Sequence, residues 1–157
     1  MKASRPILLF VVSFLLLTSC ATSRKARIQK TDIVVQRARS YIGVPYKYGG
    51  TTTLGMDCSG LLKRSFEAIE IYIPRTARQQ SKLGKKVHIN NLQPGDLVFF
   101  SYKKGKRKIT HAGLVTDRGP GENITFIHAS SSRGVIEANL MSNYYQGIFV
   151  KARRIKF

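Results

Sequence analysis

Apolar residues follow three regimes along the chain. They run almost unbroken from Ile7 to Leu17 behind Lys2 and Arg5, recur near helical spacing from Ile33 to Ile69, and gather in short β-branched or aromatic stretches from Leu97 onward. The first run is a secretion leader rather than a membrane span. Its 11 residues reach only ~16 Å as a helix, roughly half of a ~30 Å hydrocarbon core. In the second regime Thr31 or Asp32 can cap a helix whose apolar positions are Ile33, Val34, Ala38, Tyr41 and Ile42, stopped by Gly43 and Pro45. A glycine-rich loop follows from Tyr46 to Met56, and Asp57 can cap a second helix carrying Leu61, Leu62, Ser65, Phe66 and Ile69. Beyond the turn Pro94-Gly95-Asp96, strands are predicted at Leu97–Tyr102, His111–Thr116, Ile124–Ala129, Val135–Ala138 and Ile148–Arg154. Helices first and strands after predict an α+β domain with N-terminal helices packed on a largely antiparallel sheet.

Composition narrows the function. The 157 residues are 43% hydrophobic and 22% charged, within the globular range. Two cysteines cannot staple a small scaffold or supply a four-thiolate zinc site. Neither common Gly-rich phosphate loop is present, which disfavours nucleotide chemistry.

Thr18, Ser19 and Cys20 after the apolar run resemble a bacterial lipobox, in which Cys20 carries the lipid. The expected organisation is a lipoprotein signal peptide over 1–19, a lipidated N-terminus and basic tether over 20–30, and a single catalytic domain over 31–157. Ala21, in place of an aspartate, favours the outer membrane facing the periplasm. Removal of 1–19 takes Lys2 and Arg5 with it and leaves 138 residues at a charge of +17. In a cytoplasmic protein that charge, with Lys103, Lys104, Lys106, Arg107 and Lys108 in one loop, would suggest nucleic acid. Export points instead to anionic wall peptides and acidic head groups, with no nucleic-acid partner; a solvated basic face is the bland alternative. A monomer is expected.

Lipidation of Cys20 leaves Cys58 as the one free thiol, a buried hydrophobe or a nucleophile. Cys58 stands where the glycine-rich loop becomes a helix, so unpaired backbone N–H groups and the helix dipole are expected to favour its thiolate. Gly60 leaves room for a substrate backbone, or eases packing of the helix against the loop. His111 and His128 lie on predicted neighbouring strands, where one could take the thiol proton and the other orient it. A metal held by Cys58, His111 and His128 is possible by ligand type but lacks a supporting spacing. His88 sits among exposed polar residues.

Six segments carry a resemblance: Val44-Pro45-Tyr46-Lys47-Tyr48-Gly49-Gly50, Met56-Asp57-Cys58-Ser59-Gly60-Leu61, Ile73-Pro74-Arg75-Thr76, Pro94 to Phe100, His111-Ala112-Gly113-Leu114-Val115, and Phe126-Ile127-His128-Ala129-Ser130. In this order they resemble the motifs of the NlpC-type cell-wall peptidases, papain-like cysteine endopeptidases that cut peptidoglycan stem peptides. The resemblance implies Cys58 as nucleophile, His111 as general base and His128 as the polar third member. It implies Tyr46 beside the oxyanion site, Asp57 and Ser59 at the substrate, and Arg75 at a substrate carboxylate. The bland roles are an aromatic packed under the loop for Tyr46, helix capping for Asp57 and Ser59, and pinning of a loop for Arg75. Asp96 reads as structural. No cofactor or metal is required. The cut bond is the D-glutamyl to diamino-acid link or the D,D crosslink. Other readings are a catalytically silent wall-binding lipoprotein, and an acyltransferase or amidase on a similar fold. No wall-binding module precedes the catalytic part, so localisation is expected to fall to lipid and charge.

Overall fold

The computed structural model describes residues 24–103, 105, 107–121 and 123–156. Cys20, the 1–19 leader, Lys104 and Lys106 lie outside the described residues. A first helix, α1, covers 24–39. It begins before Thr31, whose hydroxyl donates to the Arg27 carbonyl one turn back (3.0 Å) instead of capping a helix start. Val34, Val35 and Ala38 form its buried face, while Ile33 and Ile42 are exposed. Val34 and Ala38 are thus buried as the periodic reading expected and Tyr41 packs against the core, but Val35 takes the inward place given to Ile33, because the stripe facing the core is too narrow for three successive helical residues.

A two-stranded hairpin, β1 (Thr51–Thr52) and β2 (Gly55–Met56), leads into α2 (Cys58–Glu67). As expected, Asp57 caps α2, its Oδ1 accepting the Gly60 N–H at 2.7 Å. Leu61, Leu62, Ser65 and Phe66 form the buried face, and the helix stops before Ile69. Two elements too short to show a period follow: α3 (Ala77–Gln80) and β3 (Lys85–Val87). The remaining strands are β4 (Leu97–Phe100), β5 (His111–Arg118), β6 (Ile124–Ser130), β7 (Gly134–Asn139) and β8 (Phe149–Arg154), with the short α4 (Asn143–Ile148) before β8.

The six strands form one antiparallel sheet in the order β3-β8-β4-β5-β6-β7. Alternation along the strands divides the core in two. Leu97, Phe99, Ala112, Leu114, Ile127 and Ala129 pack with α1 and α2. Val98, Phe100, Val115 and Phe126 face the opposite side, under Leu92, Leu140 and Tyr145. Asp96 closes the β4 turn: it accepts from Gln93 N–H and is gripped through both oxygens by Arg154 at 2.7 Å, the structural role its position suggested.

Candidate active site

Cys58 opens α2 and is buried. Gly60 explains how the loop reaches the helix start, since a Cβ there would stand 2.3 Å from the Gly50 carbonyl oxygen. Its second reading, close packing of loop and helix, is the one the structure realises. The backbone N–H of Ala112, the residue after His111 in β5, lies near enough to the Cys58 thiol to favour its charged form. Packing of α2 against the start of β5 thus sets a residue from the first half of the chain beside one from the second.

His111 and His128 occupy the neighbouring strands β5 and β6, both almost wholly buried. His111 Nε2 lies 2.9 Å from His128 Nδ1, and the rings meet edge to face. The other nitrogen of His128, Nε2, lies 2.9 Å from the Tyr145 hydroxyl. Phe126 stacks on His128 with centroids 5.0 Å apart, and Phe100 borders His111. Gly113 makes this possible: a Cβ would fall 2.6 Å from the Phe126 ring.

The aromatic bed determines the charges. Burial, then the neighbouring His128, pushes His111 down to about 3; burial, then Arg133, pushes His128 down to about 4. Burial also pushes the Cys58 thiol up to about 11, outweighing the N–H groups of Ala112, Ser59 and Cys58 itself. This corrects the expectation of a thiolate favoured by the helix start. Loss of hydration exceeds the pull of the dipole, so the resting pair is a neutral thiol and a neutral imidazole.

Cys58 lines one side of a cleft of about 370 Å³ shared with Tyr46, Tyr48, Asp57, Ser59 and Arg75. Arg75 donates through Nη1 to Asp57 Oδ1 and Ser59 Oγ (2.9 Å each), and through Nη2 to Asp57 Oδ2 (2.7 Å) and the Gly50 carbonyl (3.3 Å). Ser59 Oγ donates to Asp57 Oδ1, and the Gly49 N–H donates to Asp57 Oδ2. Burial raises the Asp57 pKa, but the donors Arg75, Gly60 and Ser59 outweigh it and hold the carboxyl below its ordinary range. Loop, helix cap and Arg75 therefore form one polar clasp next to the sulfur. The Tyr46 hydroxyl is pushed up by burial and then by its nearness to the ionisable Cys58 and to Asp57. His88 stays apart and exposed, its Nδ1 accepting the Asn90 N–H. Among the described residues no group of three His, Cys, Asp or Glu side chains is arranged to hold a metal ion.

Three contributors escaped the reading of the sequence. Tyr145 sits on α4, a helix of six residues with no detectable period. Tyr102, just past β4, lays its ring over His111 at 5.3 Å, and its hydroxyl is pushed up by burial and then by Cys58. Buried Gln80 donates to the carbonyls of Ser59 (3.0 Å) and Pro74 (2.8 Å), tying the start of α2 to the Arg75 loop. None lies in a motif; a tyrosine just past a strand, another on a six-residue helix and a glutamine on one turn of helix carry no pattern of their own.

The sequence model of the NlpC/P60 family matches residues 43–154. A relative described as "Probable endopeptidase NlpC" from Escherichia coli (strain K12) is 35% identical over 94% of this chain and 97% of its own length. A "Gamma-DL-glutamyl hydrolase" from Bacillus subtilis (strain 168) is 45% identical over 77% of this chain, which spans 28% of that longer protein. The crystal structure of an NlpC/P60 family protein from Bacillus cereus superposes with a TM-score of 0.70 at 32% identity, covering 79% of this chain and 39% of that one.

Proposed function

Because the chain belongs to the NlpC/P60 family of papain-like peptidoglycan peptidases, we propose that it is a cysteine endopeptidase hydrolysing amide bonds in peptidoglycan stem peptides or crosslinks, with Cys58, His111 and His128 as its catalytic set. The observation that carries the assignment of residues is the buried 2.9 Å contact between the two imidazoles, with the Cys58 thiol near the N–H of Ala112, the residue after His111.

The chemistry begins from neutral partners. As Cys58 attacks the amide carbon, its proton passes to His111 Nδ1. For that nitrogen to be vacant, His111 carries its proton on Nε2 and donates it to His128 Nδ1. His128 then donates from Nε2 to the Tyr145 oxygen, which lies within the field of the Arg133 guanidinium. A chain of donors in one direction keeps the general base in its working tautomer. The N–H groups at the start of α2 and the Tyr46 hydroxyl face the developing oxyanion, each worth about 3 kcal/mol. Protonated His111 gives its proton to the leaving amine; it then takes one from the water that hydrolyses the thioester, freeing Cys58. The D-glutamyl to diamino-acid link and the D,D crosslink are both amides this set can open.

Lipidation at Cys20, anchoring to the outer membrane facing the periplasm, the division at residues 19 and 30, and a monomeric state complete the proposal. Support for the anchor comes from the lipobox-like Thr18-Ser19-Cys20 and the apolar run before it. The test is incubation of the full chain with purified sacculi and mass analysis of the released fragments. Muropeptides cut at one of the two bonds, and none with Cys58→Ala, are expected. Intact sacculi would overturn the reading in favour of a silent wall binder, and cleavage of lipid amides alone in favour of the acyltransferase or amidase reading.

A further inference from the structure

The cleft beside Cys58 does not end at Arg78. It shares Arg78 and Ile109 with a second hollow of about 400 Å³, which also holds Lys82 and Lys108. That hollow shares Arg107 and Lys151 with a third, of about 630 Å³, bordered by Lys86, Lys103 and the 147–150 segment. Through these shared lining residues the three hollows adjoin in series, as a trough from the cleft at Cys58 to the β8 strand.

Every charged residue lining the second and third hollows is a lysine or arginine. Among the described residues the ion-paired cations are Arg39, Lys63, Arg64, Arg75 and Arg154, and none of these borders either hollow. The acidic partners in those pairs, Asp57, Glu67, Asp96 and Glu137, lie outside both hollows, and among the described residues no aspartate or glutamate lines either one, so the cations of these two hollows have no counter-charge within them. Lys151 registers the crowding: burial, then Arg153 and Lys82, push its ammonium down. Like charges gathered in a recess repel more strongly than the same charges spread over open solvent, and a bound anion relieves that repulsion.

We propose that the trough is an anion-binding extension of the cleft, which takes the carboxylate-bearing stretch of a wall peptide beyond the bond held over Cys58. The proposal rests on the peptidase reading. Its recessed shape and its continuity with the cleft suit a chain running outward from the sulfur better than a flat layer of head groups. Carboxylates meeting lysines along the way would set which strand is held and in which direction it lies.

The test uses the full chain carrying Cys58→Ala, so that binding is read without cleavage. Its affinity for purified sacculi is compared with that of the same protein carrying Lys82→Gln, Lys86→Gln and Lys151→Gln, and with the triple Lys→Arg set. Circular dichroism checks that each folds. Loss of about tenfold in affinity with Gln, retention with Arg, and weakening of the parent by added salt are expected. With Cys58 restored, the Gln set should lose about tenfold more kcat/KM on sacculi than on a free stem peptide, which leaves the trough largely empty. Unchanged binding to sacculi overturns the proposal. So does a loss confined to vesicles of anionic phosphatidylglycerol, which would assign the lysines to the membrane. Failure of the wild-type chain to release any muropeptide is a separate result, read in the cleavage arm alone, and would remove the peptidase reading instead.

Discussion

His111 Nε2 lies 2.9 Å from His128 Nδ1 between the adjacent strands β5 and β6, in a bed of aromatic rings whose burial disfavours a charge on either imidazole. The contact makes the second histidine a directional partner for the first. It also makes the arrangement sensitive to anything that turns His128.

Replacement of His128 should therefore separate charge from orientation. His128→Ala is expected to lower kcat on the order of a hundredfold. His128→Asn, whose amide oxygen can still accept from His111 Nε2, should recover a large part of that loss. Steady-state kinetics on a defined muropeptide checks this; equal loss in both variants would contradict an orienting role.

Tyr145 acts through His128. Tyr145→Phe keeps the ring that packs edge to face on Phe126 and removes only the hydroxyl facing His128 Nε2. One lost hydrogen bond of about 1 kcal/mol corresponds to a fall of several-fold in kcat, with KM unchanged. The imidazole nitrogen resonances of His111 and His128 should shift towards a mixture of tautomers. Unaltered resonances would show that the hydroxyl has no part in orientation.

Tyr46→Phe should slow turnover on the order of a hundredfold while leaving the melting temperature intact, as expected for an oxyanion donor. A drop in stability with normal turnover would instead mark Tyr46 as an aromatic packed under its loop.

Arg75 can be judged by where its loss is felt. Arg75→Ala removes four contacts to Asp57, Ser59 and Gly50 and leaves the largely buried Asp57 carboxylate without its cation. A loss of about 2 kcal/mol in unfolding free energy is expected, together with slower turnover as the start of α2 loosens. A variant of unchanged stability whose KM alone rises would make Arg75 a substrate contact.

Stability should vary with pH in two windows. Unfolded histidine binds its proton near 6.5, whereas native His111 and His128 resist protonation down to about 3 and about 4. Between those values the unfolded chain holds more protons. Stability from this source is therefore fully present above pH 6.5 and is lost as pH falls towards the native values. Cys58 works at the other end. Its native pKa of about 11 exceeds the ordinary 9.0, so its contribution is present below pH 9 and declines as pH rises towards 11. Denaturant unfolding across pH should show both limbs, and His128→Asn should flatten the acid one. In the resting enzyme, alkylation of Cys58 by iodoacetamide should be slow at neutral pH and quicken only in strong alkali; rapid reaction at pH 6 would contradict the neutral pair.

Local chemistry was legible wherever a pattern was carried by neighbouring residues. Asp57 before an apolar helical face announced a cap and a helix start at Cys58, and stretches of β-branched and aromatic residues from Leu97 onward announced the strands that bear His111 and His128. Capping, helical period and the β preference of branched and aromatic residues are short-range effects, written within a few residues of where they act. What tertiary structure decided was everything set by contact between distant segments. Sheet order put β5 beside β6 and so joined the two imidazoles, and α4 brought Tyr145 to His128 from a stretch with no period. The protonation states belong to this second class as well. The start of α2 favours a thiolate by itself, but the packing that buries Cys58 removes the water a thiolate needs, and hydration is a property of the assembled fold rather than of any one segment.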